Sequence, residues 1–177
     1  MLSRENTALI VVDVQGNLAQ VMDDKAFLIE NNRKLIKGIN MLGIPVVLTE
    51  QNRLGTTIPE LADLLPGVQA ITKDSFSCCT EEKFMRAVKT LHRKQILMTG
   101  IEAHVCVYQT AMDLMAMGYE VHLAADAVSS RTARNREIGI QKLIGSGAIL
   151  TGTEMALFEL LKVATDPQAR ELFKIIK

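Results

Sequence analysis

Gln95-Ile96-Leu97-Met98-Thr99-Gly100-Ile101-Glu102-Ala103-His104-Val105-Cys106 is the stretch that decides the fold. Its first half is a short continuous apolar run, the pattern of a strand covered on both faces. It ends at Gly100 and runs into a helical pattern, Ala103 to Met117. The turn between them places Cys106 near a helix N-terminus, where unpaired N–H groups and the positive end of the helix dipole favour thiolate. A cysteine with no partners is more often simply buried, so the rest of the chain decides whether this thiol does chemistry.

The same alternation continues on both sides. Strand-like runs occur at Ala8-Leu9-Ile10-Val11-Val12, Ile44-Pro45-Val46-Val47-Leu48, Tyr119-Glu120-Val121-His122-Leu123 and Ala148-Ile149-Leu150, with a weaker one at Val68-Gln69-Ala70-Ile71, six strands in all. Helical patterns lie between and after them: Asp24 to Leu42, Glu81 to Leu91, Thr132 to Ile144, Glu154 to Leu161 and Pro167 to Ile176. Gly43, Gly118 and Gly145 stand where left-handed helix caps are needed. Alternating strand and helix predict an α/β domain with a mainly parallel sheet and right-handed crossovers.

At 177 residues and 48% apolar content, the chain fits a single domain, residues 1–177, with a full core. Twenty basic residues balance twenty acidic ones, so there is no broad field for nucleic acid and no polybasic tail for anionic lipid. No apolar run reaches the roughly 20 residues of a spanning helix, and the start reads directly into a strand. Three cysteines, two of them adjacent at Cys78-Cys79, form neither a disulfide framework nor a CxxC redox motif, and their spacing supplies no zinc site. The expectation is a cytoplasmic protein that acts on a small molecule, without a metal or other cofactor.

Ligands of open parallel sheets bind beyond the carboxyl ends of the strands, where strand order reverses. The polar residues just after strands are therefore collected: Asp13, then Thr49-Glu50-Gln51-Asn52-Arg53, then Lys73, Cys106, and Asp126 with Ser129-Ser130-Arg131. Taken singly, Asp13 suits a helix cap as well as a crevice, and Lys73 suits a solvated surface. Only their combination suggests chemistry.

Val11-Val12-Asp13-Val14-Gln15, Lys73-Asp74-Ser75-Phe76-Ser77 and Gly100-Ile101-Glu102-Ala103-His104-Val105-Cys106-Val107 resemble, in this order, the motifs of the isochorismatase-like cysteine hydrolases. The resemblance runs from about residue 5 to residue 161. Ala124 to Ser130 and Thr151 to Met155 bring it nearest to the isochorismatase domain-containing proteins. It implies a Rossmann-like three-layer sandwich with a six-stranded sheet of order 3-2-1-4-5-6. It also implies a catalytic Asp13, Lys73 and Cys106, an oxyanion hole from the backbone N–H groups of Glu102 and Cys106, and a cis peptide at Ile101-Glu102. Asp13 would be the general base, Lys73 the charge that favours thiolate and holds Asp13 ionised, and Cys106 the nucleophile.

The chain departs from related nicotinamidases after the second strand, where Thr49 to Gly55 lacks histidine, so no zinc or iron site of that type is expected. His92 and His122 are far from the motifs. His104, two residues before Cys106, is a pocket candidate, as are Gln51 and Phe76. Arg53 and Arg131 have the geometry to pair with a substrate carboxylate, and Tyr108 to form an apolar wall. Met112, Met115 and Met117, with the tail Leu172-Phe173-Lys174-Ile175-Ile176, offer surfaces a homo-oligomer could bury. The reading is a hydrolase of a small amide or related C–N bond; its rivals are vinyl-ether hydrolysis of the isochorismatase type and a non-catalytic binding module.

Overall fold

Apolar runs that pair only with their neighbours' backbones must be covered on both faces, and a computed structural model of all 177 residues shows how this is done. Strands β1 (Thr7–Val12), β2 (Val46–Gln51), β3 (Ile71–Lys73), β4 (Gln95–Ile101), β5 (Glu120–Ser129) and β6 (Ile149–Thr151) form one sheet. Its order is β3-β2-β1-β4-β5-β6 and every pairing is parallel, the expected topology. Central strands β1 and β4 are buried at every residue.

Eight helices flank the sheet: α1 (Gly16–Gln20), α2 (Lys25–Met41), α3 (Pro59–Ala62), α4 (Glu82–Thr90), α5 (Cys106–Ala116), α6 (Ala133–Gly145), α7 (Thr153–Leu161) and α8 (Ala169–Ile176). Successive β1 side chains point to opposite faces. Leu9 and Val11 join the core under α2, α3, α7 and α8, while Ala8, Ile10 and Val12 join the one under α4, α5 and α6. The tail helix α8 docks on its own domain: Ala169 and Leu172 are buried in the first core.

Strand order reverses between β1 and β4. There Val12 pairs with Gly100, whose φ is +129°, and a Cβ on Gly100 would lie 2.1 Å from the Val12 carbonyl oxygen. Only glycine allows this approach. It brings the end of β4, and the turn into α5, beside Asp13.

Several boundaries differ from expectation. The third strand is Ile71–Lys73, not Val68–Ile71, because pairing with Thr49 to Gln51 of β2 sets its position. β2 starts two residues later and runs to Gln51, and β5 continues to Ser129, so Asp126 is a strand residue. Asp126 accepts from the Thr153 N–H at 2.8 Å and hydroxyl at 3.0 Å, holding the start of α7 instead of facing a crevice. Helix α5 begins at Cys106, after a turn through Glu102 to Val105. Gly145 ends α6 in the helical region, and Gly147, at φ +107°, takes the left-handed position. Helix α3 and a 3₁₀ turn at Cys78–Thr80 were not foreseen.

Candidate active site

Three strand ends deliver the three motif residues to the point of reversal. Asp13 follows β1 directly, with a left-handed φ of 53°; Lys73 ends β3; Cys106 opens α5. Asp13 and Lys73 are almost fully buried, and Lys73 Nζ lies 2.7 Å from Asp13 Oδ2. A buried ion pair survives only if further polar contacts offset the loss of water.

Lys73 has them. Its ammonium also donates to Gln51 Oε1 at 2.7 Å and to the carbonyls of Ser75 at 3.0 Å and Phe76 at 3.2 Å. With Asp13 Oδ2, these four oxygens surround the three ammonium protons, and Lys73 is a fixed charge. Asp13 is held from both sides. Oδ1 accepts from the Thr49 hydroxyl at 2.8 Å, while Oδ2 faces the ammonium at 2.7 Å. Each oxygen keeps a lone pair able to take a proton.

Cys106 stands where a helix N-terminus favours thiolate, yet burial outweighs that position. Desolvation pushes its thiol up to about 12; Lys73 pulls it down and Asp13 pushes it up. Burial thus opposes the thiolate that the helix N-terminus favours. The N–H groups of Glu102 and Cys106 donate to no other group, and the Ile101–Glu102 peptide is cis.

The remaining candidates separate. The Gln51 amide accepts from Lys73 through Oε1 and donates through Nε2 to the Asp74 carbonyl at 2.8 Å, so it supports the ammonium and keeps one N–H uncommitted. The Phe76 ring is exposed, and its contribution to the site is its carbonyl. His104 is half-buried, its Nδ1 2.9 Å from Ser130 Oγ. The Glu102 carboxylate accepts from Arg131 Nε at 3.0 Å, which anchors that guanidinium beside the turn. Tyr108 lies under Lys142 Nζ, 4.9 Å from the ring centre, on the helix surface. Arg53 borders a cavity of about 640 Å³ with Gly16, Leu54 and Thr57, which none of Asp13, Lys73 and Cys106 lines. No three His, Cys, Asp or Glu side chains are grouped to hold a metal ion.

Thr49, Cys78 and Gln15 are site residues that sequence reasoning did not single out. Gln15 is fully buried and clamps the Gln51 backbone: Oε1 accepts from its N–H at 2.7 Å and Nε2 donates to its carbonyl at 3.1 Å. A signal for Thr49 existed. Residues two apart on a strand share a face, so Val47, Thr49 and Gln51 had to look toward the layer that carries Cys106.

Comparison with known proteins shows the family and the fold. The Isochorismatase domain family profile matches residues 7–155. The secreted isochorismatase effector Isc1 of Phytophthora sojae is 35% identical, covering 97% of this chain and 85% of that protein. Isochorismatase domain-containing protein 2 of Danio rerio is also 35% identical, covering 99% and 89%. Among solved structures, one described as a MAR1 ribonuclease from Caenorhabditis elegans superposes with a TM-score of 0.93 at 34% identity, covering 99% of this chain and 91% of the other. The YcaC gene product of Escherichia coli, described as an octameric hydrolase of unknown specificity, gives 0.92 at 24% identity, covering 98% and 89%.

Proposed function

The chain belongs to the isochorismatase family, and from that membership we propose that it is a metal-independent cysteine hydrolase that cleaves an amide or related C–N bond of a small molecule. One observation supports this reading above the others: a buried carboxylate, the ammonium paired with it and a cysteine thiol share one desolvated corner.

In the proposed cycle Asp13 Oδ2 takes the Cys106 thiol proton as sulfur bonds to the substrate carbonyl carbon and the carbonyl electrons move to oxygen. The N–H groups of Glu102 and Cys106 receive that oxyanion, donors already in place where charge develops. When the C–N bond breaks, Asp13 returns the proton to the leaving nitrogen. Water then adds to the thioester carbon, giving a proton to Asp13; the C–S bond breaks, the proton passes to sulfur, and the acid leaves. Lys73 stays an ammonium and holds Asp13 anionic in a site that would otherwise neutralise it. Base catalysis of this kind is worth about 10² to 10⁴ in rate.

A second reading has one observation in its favour: burial opposes ionisation of the Cys106 thiol. Asp13, having taken a proton from solvent, would deliver it to the vinyl-ether carbon; water would add to the oxocarbenium carbon and return a proton to Asp13, and the hemiketal would collapse to a carbonyl and an alcohol, with sulfur a bystander. Small amides and vinyl ethers offered to wild type, Cys106→Ala and Asp13→Asn, with acid quenching and intact mass, separate the two. A covalent adduct on Cys106 and loss of turnover in Cys106→Ala are expected. Turnover that survives Cys106→Ala but not Asp13→Asn would favour the ether reaction. No turnover and no selective trapping of Cys106 by any electrophile would leave a binding module.

The proposal excludes nucleic acid as substrate, in keeping with the balanced charge of the chain. RNA degradation lost in Asp13→Asn would reverse that. Three buried free thiols suit a reducing compartment such as the cytoplasm, and no helix of the structure is long and apolar enough to cross a membrane. Exposed Met155, Phe158 and Phe173 support a homo-oligomer, which light scattering would test.

A further inference from the structure

We propose that Thr49 is a positioning residue for the reaction, its hydroxyl fixing the Asp13 carboxylate from Oδ1 while Lys73 fixes it from Oδ2, so that the base is held still for the Cys106 proton. The proposal rests on the reading of Asp13 as the base.

Thr49 is fully buried on β2, paired with Val12, so its side chain arrives beside the residue that follows β1. Its Oγ1 lies 2.8 Å from Asp13 Oδ1, and the Asp13 N–H donates to the Thr49 carbonyl at 3.3 Å. The hydroxyl proton has one direction to take, because the Cys78 thiol donates to the same Oγ1 from 3.7 Å. Cys78 is fixed for this by its own N–H, which donates to Thr110 Oγ1 at 3.0 Å on the helix that Cys106 opens. A thiol, a hydroxyl and a carboxylate therefore stand in one donor chain, Cys78 to Thr49 to Asp13. Burial keeps Cys78 protonated and so keeps it a donor.

One consequence follows. With Oδ1 held by Thr49 and Oδ2 by Lys73, the carboxylate is gripped at both oxygens and cannot rotate, which fixes where its remaining lone pairs lie. Lys73 from β3, Cys106 from α5 and Cys78 from the 3₁₀ turn are the charged and titratable groups sharing these surroundings.

The test needs no substrate. Cys106 is alkylated with iodoacetamide at one neutral pH in wild type, Asp13→Asn, Thr49→Val, Thr49→Ala, Thr49→Ser and Cys78→Ala, the adduct is located by peptide mass, and thermal melting is recorded for each. In Asp13→Asn the rate falls about tenfold or more. In Thr49→Val and Thr49→Ala it falls severalfold, Thr49→Ser restores it, and Cys78→Ala lowers it by less. Each Thr49 variant is judged if it melts cooperatively, so one folded variant suffices. A wild-type rate in folded Thr49→Val or Thr49→Ala overturns the inference while leaving Asp13 as the base. A wild-type rate in Asp13→Asn overturns the reading beneath it.

Discussion

Two buried polar clusters occupy opposite edges of the same sheet and are finished differently. At the N-terminal edge Gln95 accepts from the Ser3 N–H at 2.9 Å and the Thr7 hydroxyl at 3.2 Å. It donates to the Met1 carbonyl at 2.9 Å and to Glu120 Oε1 at 2.8 Å, and His122 Nε2 lies 2.6 Å from that same oxygen. Every group there is matched, and the cluster ties the chain's start to β4 and β5. At the C-terminal edge Asp13 Oδ2 has the Lys73 ammonium alone, and the N–H groups of Glu102 and Cys106 donate to nothing. A buried polar group left unmatched costs about 1–3 kcal/mol. One edge is matched and the other is left incomplete.

The comparison is broken most severely at Asp13. Asp13→Asn should lower kcat/KM by about 10² to 10⁴ yet stay folded, since Lys73 keeps the oxygens of Gln51, Ser75 and Phe76. Turnover beside a melting curve reads both; a variant that unfolds would make the pair structural. Next is Lys73→Met, which strands the Asp13 carboxylate in the core and should cost about 3–5 kcal/mol by urea denaturation.

Gln95→Ala attacks the matched edge instead. A loss of about 1–3 kcal/mol with turnover unchanged is expected, and reduced turnover would show that the two edges communicate.

A smaller effect lies on the alkaline side. Burial pushes Cys78 up to about 11 and Cys79 and Cys106 up to about 12, from an ordinary value of 9.0. Folded values above unfolded ones mean a contribution fully present below pH 9.0 and lost as pH rises through about 11 to 12. The urea midpoint should therefore fall above pH 9.0, and fall less steeply in Cys79→Ala.

The smallest belongs to Glu120, lowered from 4.5 by the hydrogen bond of His122. Its contribution is present above 4.5 and lost as pH falls through the lower folded value. Since the carboxylate is largely exposed, Glu120→Gln should cost below about 1 kcal/mol, seen only above that pH.

Much of this was legible in the chain. The alternation of apolar runs with helical patterns specified six strands and their parallel pairing, because a helix between successive strands returns the chain to the same end of the sheet. The resemblance brought Asp13, Lys73 and Cys106 to one end of the sheet. Errors gathered where a neighbour from elsewhere sets the answer: β3, whose extent is decided by β2, and Asp126, drawn into β5 and onto the start of α7. Thr49 and Gln51 were visible as polar residues after a run, but their duties became visible only with Asp13 and Lys73 beside them.

The sequence by itself determined the order of elements, the strand ends that carry polar groups, and a cysteine at a helix N-terminus. Tertiary structure set burial against that position, since the helix dipole is local whereas desolvation depends on every segment that closes over the sulfur. It also decided how the Asp13 carboxylate is held, because Thr49 and Lys73 reach it from two separate strands.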